Sequence, residues 1–380
     1  MIIGLLKETE TENRVSILPD VAGNLLKLKA EVWFEADAGL SAFQTNNDYV
    51  AAGAFLKSRS EILSGADVVL SIHPLSAADL ATVKSTAVAV GVYQPLFNFI
   101  TMTHWAEKGM TTFSLDMLPR TTRAQAMDVL SSQANIAGYK AVLVAASVFP
   151  KYFPMLMTAA GSISPAKVLV IGAGVAGLQA IATAKRLGAV VEVFDTRAAS
   201  KEEVMSLGAK FVEVEGAADA SKAGGYAVEQ TEEYQLKQKQ RIHEAIVKAD
   251  IVITTAQIPG RKAPLLITKT MVEEMRKGSI VVDLAAATGG NCEVTKNNET
   301  VVHHGVSIIG NSNLPSTMPA DASKLYGKNV FNFLKLIIDA EGKLNLNFED
   351  DLVKGACITH AKKIVNERVI EIVNKTAATN

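Results

Sequence analysis

From Val168 to Asp195 the chain reads VLVIGAGVAGLQAIATAKRLGAVVEVFD: a β-branched run, glycines at 172, 174 and 177, a small-residue helical stretch, a second β-branched run and a terminal carboxylate. Each glycine has its own physical task. Gly172 permits the tight turn after the strand, Gly174 lets a pyrophosphate approach the backbone, and Gly177 lets the following helix pack closely on the strand, so that the helix amino-terminus faces the phosphates. A bare GxGxxG is weak evidence, but the complete strand, turn, helix, strand and acid make a dinucleotide fingerprint. Asp195 lies 23 positions after Gly172, where a carboxylate accepts hydrogen bonds from the adenosine ribose and repels a 2′-phosphate, which favours NAD(H) over NADP(H). Arg197 argues the other way, because an arginine there can receive a 2′-phosphate; it is read as a salt-bridging surface residue. The expected nucleotide contacts are Gly172, Ala173, Gly174, Val175, Ala176, Gly177, Asp195, Thr196 and Arg197.

The same alternation extends along the chain. VLVI (168–171), VVEVF (190–194), KFVEV (210–214), IVITT (251–255), IVVDL (280–284) and VSIIG (306–310) predict six parallel strands separated by helices; uninterrupted apolar runs are what strands covered on both faces require. MIIGLL (1–6), EVWFEA (31–36), DVVLSI (67–72) and AVAVGV (87–92) repeat the pattern before residue 130, with a helix over 21–29. At 380 residues the chain fits two domains of ~150–200 residues. The expected fold class is α/β, with two Rossmann-like domains, doubly wound parallel sheets and a cleft between them. Residues 1–130 plus 322–380 are expected to form the first, discontinuous domain, and 131–321 the nucleotide-binding one. Residues 123–146 predict one long helix beside the cleft. The stretch from 216 to 240, with Gly224-Gly225 and many polar residues, predicts either a mobile lid or a solvated insertion. After Gly310, a polar segment leads into a helix at FNFLKLIID and a carboxyl-terminal stretch expected to return to the first domain.

Composition narrows the function class. Thirty-eight basic side chains oppose 39 acidic ones, so no global field recruits nucleic acid or an anionic membrane surface. Cys292 and Cys357 lie 65 positions apart and belong to no metal-binding cluster, which fits a reducing compartment. The start of the chain has no basic region followed by a long apolar stretch, so a secretory signal is not expected. The longest central run free of charge, 17 residues from Val168 to Ala184, carries three glycines and is read as strand, loop and helix, so no membrane span is expected.

The segment MLPRTTRAQAMDVLSSQANIAGYKAV, residues 117–142, closely resembles the nicotinamide-site loop of the NAD(H)-binding component of proton-translocating transhydrogenases. The resemblance continues through FDTRAASKEEVMSLGAKF, AGGYA, ITTAQIPGRKAPLLIT and VVDLAAATGGNCE and covers nearly the whole chain. It implies that Arg120, Gln125, Asp128 and Ser131 surround the nicotinamide, and that Tyr226, Thr255, Ala256 and Gln257 join the nucleotide contacts. It further implies a 216–240 loop that closes over nucleotide, NADP(H) on a partner subunit, a membrane-embedded proton-channel subunit and a homodimer. The chain would then sit on the cytoplasmic, or mitochondrial-matrix-equivalent, side, attached to the membrane through its partners. Chemically the four loop residues suit hydride transfer, which requires positioning and no general base. The plain alternative is an ordinary capped helix start, for which Asp and Ser are common.

The rival reading is an NAD-dependent amino acid dehydrogenase of the alanine dehydrogenase type, which the resemblance also includes more distantly. Such an enzyme needs a lysine and a histidine in the first domain, where this chain has Ser71 and Ile72, and Val92, Tyr93 and Gln94. Lys7, Glu8 and Arg14 form a KE…R pattern read as a surface ion pair worth little. His303 and His304 are expected to point to opposite faces of a strand, so no metal site is expected. Asp283 ends a strand either beside the cleft or as a cap.

Overall fold

The computed structural model describes residues 1–197, 199–214 and 232–377. The chain divides into two compact units, Met1–Gln133 with Pro315–Asn380, and Ala134–Leu314. In the first, β1 (Ile2–Leu5), β2 (Glu31–Glu35), β3 (Phe55–Lys57), β4 (Val68–Leu70), β5 (Val88–Gly91) and β6 (Thr111–Ser114) are parallel and lie in the order β3-β2-β1-β4-β5-β6.

In the second unit a hairpin, β7 (Leu156–Thr158) and β8 (Gly161–Ile163), precedes the sheet. The sheet strands are β9 (Lys167–Ile171), β10 (Val190–Phe194), β11 (Lys210–Phe211), β12 (Ile251–Thr254), β13 (Ile280–Asp283), β14 (Thr300–His303) and β15 (Val306–Ile309). Their order is β11-β10-β9-β12-β13-β15-β14. Both sheets therefore wind 3-2-1-4-5-6, the order of a dinucleotide-binding Rossmann fold, whose ligands lie where the winding reverses. The chain then returns to the first unit, where β16 (Cys357–His360) pairs antiparallel with β6 and with β17 (Lys363–Ile364).

The alternation of side chains explains why these runs are strands. Val168 and Val170 of β9 join one apolar cluster with Ile251, Ile253, Ile280 and Val282, while Leu169 and Ile171 join another with Val252 and Val281. Each strand thus buries both faces, and parallel neighbours can be connected only by crossovers, which the helices provide. In the first sheet Ile3, Leu5, Val68 and Leu70 face one cluster and Val69 the other.

Several local expectations change. β11 holds only the first two of the five residues expected, and the sheet gains an antiparallel edge strand, β14, whose burial alternates and whose sequence lacks a long apolar run. The helix expected over 123–146 is broken: a 3-10 turn, Thr122–Met127, is followed by Asp128 at ψ 88°, and the α-helix runs Val129–Val148. Helical structure begins at Glu232, so the expected loop gives up its last nine positions, 232–240, to the helix Glu232–Lys248; Gly224, Gly225 and Tyr226 lie outside the described residues. The helix predicted around 331–339 starts earlier, at Pro319, because proline suits a first helical turn.

Asp283, fully buried at the end of β13, resolves its two readings in favour of structure. Its carboxylate accepts from Thr254 Oγ1 (2.9 Å), Ala285 N–H (3.0 Å), Asn291 N–H (2.8 Å), Cys292 N–H (3.0 Å) and Thr295 Oγ1 (2.7 Å). Five donors hold the segment after β13 in its fold. Asp283→Ala strands several of them, and with ~1–3 kcal/mol for each buried donor left unpaired, chemical denaturation is expected to show a loss of at least ~3 kcal/mol. A loss below ~1 kcal/mol would mean that the donors have other partners.

Candidate functional site

The fingerprint adopts the turn its glycines predict. Gly172 lies at φ +103°, a conformation that strains any residue with a Cβ, and a Cβ there would also meet Thr255 Oγ1 at 2.4 Å. At Gly177 a Cβ would fall 1.9 Å from the Gly172 carbonyl oxygen, so helix and strand are in direct contact at that point. Gly174 differs: a Cβ there would meet nothing within 4 Å. It precedes the helix Val175–Arg186 with no side-chain cap, leaving the first-turn amides and the positive end of the helix dipole to an anion. The chain's own residues thus fit a pyrophosphate.

Around this turn the other predicted contacts act mainly as clamps. Thr255 follows β12, and its hydroxyl donates to the carbonyls of Gly172 (3.0 Å) and Ile171 (3.3 Å). Both polar backbone atoms of Ala256 are held by Asn291, whose amide accepts from Ala256 N–H at 3.1 Å and donates to its carbonyl at 2.9 Å. Gln257 is exposed and donates to Leu284 O at 2.8 Å. Sequence reasoning missed Asn291, which is fully buried; lying in the loop after a strand, it gives no periodic signal.

Asp195 stands at the end of β10 and is tied to both neighbours. It accepts from Ala173 N–H at 2.6 Å, fixing the turn, and from Arg197 through the backbone N–H (2.7 Å), Nε (3.0 Å) and Nη2 (2.9 Å). The Asp195 side chain is 7 % exposed and that of Arg197 24 %, so Arg197 folds back along the acid in a fork geometry. Thr196 is half-buried between them in sequence.

In the first unit, the four residues of the 120–131 segment divide into two kinds. Arg120 and Gln125 are exposed. Asp128 caps the helix Val129–Val148, its carboxylate accepting from Ser131 N–H at 2.9 Å and from Ser131 Oγ at 2.6 Å. The capped helix start posed as the plain alternative is thus the actual geometry of Asp128 and Ser131, while Gln125 is presented on the 3-10 turn just ahead of it.

The KE…R pattern is not a surface ion pair. Arg14 is 8 % exposed and Glu12 5 %, and they are joined through Nε–Oε1 (2.8 Å) and Nη2–Oε2 (2.6 Å), with His73 Nε2 2.8 Å from Glu12 Oε2. Glu8 accepts from the backbone N–H of Ile72 at 2.5 Å. These groups gather beyond the ends of β1 and β4, the reversal point of the first sheet. Sequence spacing suggested a charged loop; the fold turns it inward against β4. Burial opposes the charged form of Glu12, but Arg14 and His73 outweigh it and hold the carboxyl well below its usual range. Nearby, Ser71 Oγ and Tyr93 Oη are 3.2 Å apart and Tyr93 packs edge-on against Trp105. The two positions where an amino acid dehydrogenase would carry a lysine and a histidine therefore hold a buried hydroxyl pair.

The two adjacent histidines do not part as expected. His304 leaves the strand at φ +49°, which brings its ring centroid to 5.0 Å from that of His303; Glu273 Oε1 lies 2.9 Å from His303 Nε2 and 3.9 Å from His304 Nε2. The described geometry is a histidine–carboxylate pair with a second histidine beside it.

Comparison with known proteins agrees with both sheets and both segments. The alanine dehydrogenase/PNT N-terminal domain matches residues 4–137 and the C-terminal domain residues 141–367. The chain therefore belongs to the alanine dehydrogenase/PNT family. Within that family it belongs with the NAD(P) transhydrogenase alpha subunits: it is 46 % identical over 370 residues to the first of the chains that make up NAD(P) transhydrogenase subunit alpha in Rickettsia prowazekii, with 96 % of each chain covered. A crystal structure of transhydrogenase from Sinorhizobium meliloti, 44 % identical, superposes with a TM-score of 0.88 over 96 % of this chain and 100 % of that one. Alanine dehydrogenase of Mycobacterium tuberculosis is a more distant relative, 26 % identical over 97 % of this chain and 96 % of its own.

Burial pushes the Glu8 carboxyl up to about 7 from 4.5, against the opposing pull of the Ile72 amide. Between those values the folded chain keeps a proton that the unfolded chain has released, so stability falls as pH rises from about 4.5 to about 7, by up to ~3 kcal/mol. Glu12, held low, acts only below that window. Glu8→Gln is expected to flatten the pH dependence of the unfolding free energy between pH ~5 and ~7.5; parallel curves for the variant and the unaltered chain would show that Glu8 does not carry the proton.

Proposed function

We propose that this chain is the NAD(H)-binding subunit of a proton-translocating transhydrogenase. The observation that carries the reading is the turn at Gly172, Gly174 and Gly177, which offers an uncapped helix amino-terminus beside open space, with Asp195 at the end of the adjacent strand. Bound nicotinamide nucleotide supplies the hydride, which passes to or from NADP(H) on a partner subunit, and a membrane-embedded subunit couples that transfer to proton movement.

The chain's residues have separable tasks in this scheme. Gly172 to Gly177 hold the pyrophosphate, Asp195 the adenosine ribose, and Thr255, Ala256 and Gln257 the turn beside them, with Tyr226 an additional contact. Arg120 and Gln125 orient the nicotinamide carboxamide and ribose, while Asp128 and Ser131 fix the helix start from which that segment hangs. None of these steps asks the protein for a general base, since a hydride moves and no substrate proton does.

Two surface features bear on partners. Among the described residues no helix is long and apolar enough to cross a membrane, which suits a chain attached through other subunits on the cytoplasmic or matrix-equivalent side. The β7–β8 hairpin and the residue leading into it expose Met155 (62 %), Met157 (75 %) and Ile163 (40 %). A two-stranded hairpin is marginal by itself, and contiguous exposed apolar side chains mark contact surfaces; a second copy of this chain is the occupant we assign to it.

Asp195→Ala removes the ribose acceptor and also frees the Arg197 guanidinium to meet a 2′-phosphate. Equilibrium titration is expected to show weaker NADH binding and a preference for NADH over NADPH reduced by tenfold or more, ~1.4 kcal/mol. Unchanged selectivity would mean that Asp195 serves only the Ala173 and Arg197 contacts. Gln125→Asn is expected to slow single-turnover hydride transfer to NADP⁺ on the reconstituted complex by at least tenfold, ~1.4 kcal/mol in the barrier, with NADH affinity changed only modestly. Transfer at the unaltered rate, or reduction of a keto acid without any partner, would return the lead to the amino acid dehydrogenase reading.

A further inference from the structure

The 3-10 turn carrying Gln125 and the helix carrying Ser131 meet at the break at Asp128, and one buried side chain touches both sides of that break. Asn329, on the helix Pro319–Ile337 and 8 % exposed, donates through Nδ2 to the Ala126 carbonyl at 2.9 Å. Its Oδ1 accepts from Ser132 Oγ at 2.8 Å. Ala126 is the residue directly after Gln125, and Ser132 the residue directly after Ser131. The Ala126 carbonyl receives a second amide donor, Asn332 Nδ2, at 3.1 Å.

The next residue is fixed as well. Gln133 accepts from Arg14 Nη1 at 2.9 Å and donates to Ser132 Oγ (3.3 Å) and the Ala322 carbonyl (3.1 Å). Ala124 and Met127 enter the core on the other side of the turn. A carboxamide is planar and carries a donor and an acceptor a fixed distance apart, so Asn329 sets the spacing between the carbonyl before the break and the hydroxyl after it.

We infer that Asn329 is a positioning residue for hydride transfer: by bridging Ala126 and Ser132 it fixes the direction in which the Gln125 side chain is presented. The inference rests on the reading of the 120–131 segment given above. No side chain of the same length and a single hydrogen-bonding character replaces it. Aspartate keeps the acceptor for Ser132 but sets an oxygen against the Ala126 carbonyl, and alanine removes both bonds. Displacing a positioned group by a fraction of an ångström lowers reaction rates strongly while leaving distant binding contacts unchanged.

The test compares Asn329→Ala, Asn329→Asp, Ser132→Ala and Gln125→Asn in the complete complex reconstituted with the NADP(H)-binding partner. NADH affinity at equilibrium and single-turnover hydride transfer from saturating NADH to NADP⁺ are measured for each. Both Asn329 variants are expected to bind NADH within about threefold of the unaltered chain and to transfer hydride at least tenfold more slowly. Ser132→Ala, which keeps both amide donors to Ala126, should slow transfer by a smaller factor. A structural role alone would lower thermal stability and affinity together without a selective loss of rate. If Gln125→Asn slows transfer while every folded Asn329 and Ser132 variant transfers at the unaltered rate, the positioning role is overturned and the reading of the segment stands. If Gln125→Asn also transfers at the unaltered rate, the reading of the segment fails and the inference with it. Should the Asn329 variants fail to fold, Ser132→Ala alone decides: transfer unchanged overturns the inference, and slowed transfer with unchanged NADH affinity supports it.

Discussion

Strands buried on both faces admit only one kind of connection. Each parallel neighbour must be reached by a crossover that carries the chain over the sheet and back, and helices are what cover an apolar face while satisfying their own backbone. In each unit the winding starts at the middle strand, runs outwards to one edge and then resumes on the other side of the start. The reversal leaves the carboxyl ends of two adjacent central strands facing loops that leave in opposite directions. In the second unit that place lies between β9 and β12 and is closed tightly enough for Gly177 to sit where a single Cβ would strike the Gly172 carbonyl. The nucleotide turn follows from that contact, since a larger residue would push the helix away from the strand and its amino-terminus off the phosphate line.

The corresponding place in the first unit is filled differently. Instead of glycines, the segment after β1 supplies Glu8, Glu12 and Arg14, which turn inward and bond to each other and to the β4 end through Ile72 and His73. An isolated buried carboxylate is costly, and these two are treated unequally: Glu12 is matched by a guanidinium, whereas Glu8 has only backbone amides and is driven towards its protonated form. With Ser71 and Tyr93 closing the neighbouring positions, the first unit offers no lysine or histidine at the two places where amino acid dehydrogenation requires them. This chemical difference separates the chain from its alanine dehydrogenase relatives more sharply than the fold, which they share.

Two strand-end aspartates of the second unit show why position in a pattern does not give a role. Asp195 and Asp283 both end parallel strands. Asp283 spends its oxygens on five donors of its own unit and is shut away from solvent, so it acts as a clasp. Asp195 ties the nucleotide turn to Arg197 and keeps its pairing with that guanidinium near the surface, where a ligand hydroxyl can exchange with it.

Some of this was legible in residue order alone. The β-branched runs, the glycine spacing and the terminal acid specify the second sheet, its first crossover and its nucleotide turn, because each depends on neighbours within about thirty residues. Short edge strands such as β3, β14 and β17 were not legible, since their residues face solvent on one side and lack an apolar run. Nor was the break at Asp128: residues 123–146 keep a helical period throughout, and only the amides of Asn329 and Asn332, some two hundred positions away, hold Ala126 in a separate turn. The burial of Arg14 and the approach of His303 to His304 belong to the same class. Sequence determined which residue types meet a nucleotide. Tertiary structure decided which of the remaining polar groups lie inside, because a charge or an amide is placed by the partner that satisfies it, and that partner is brought from elsewhere in the chain.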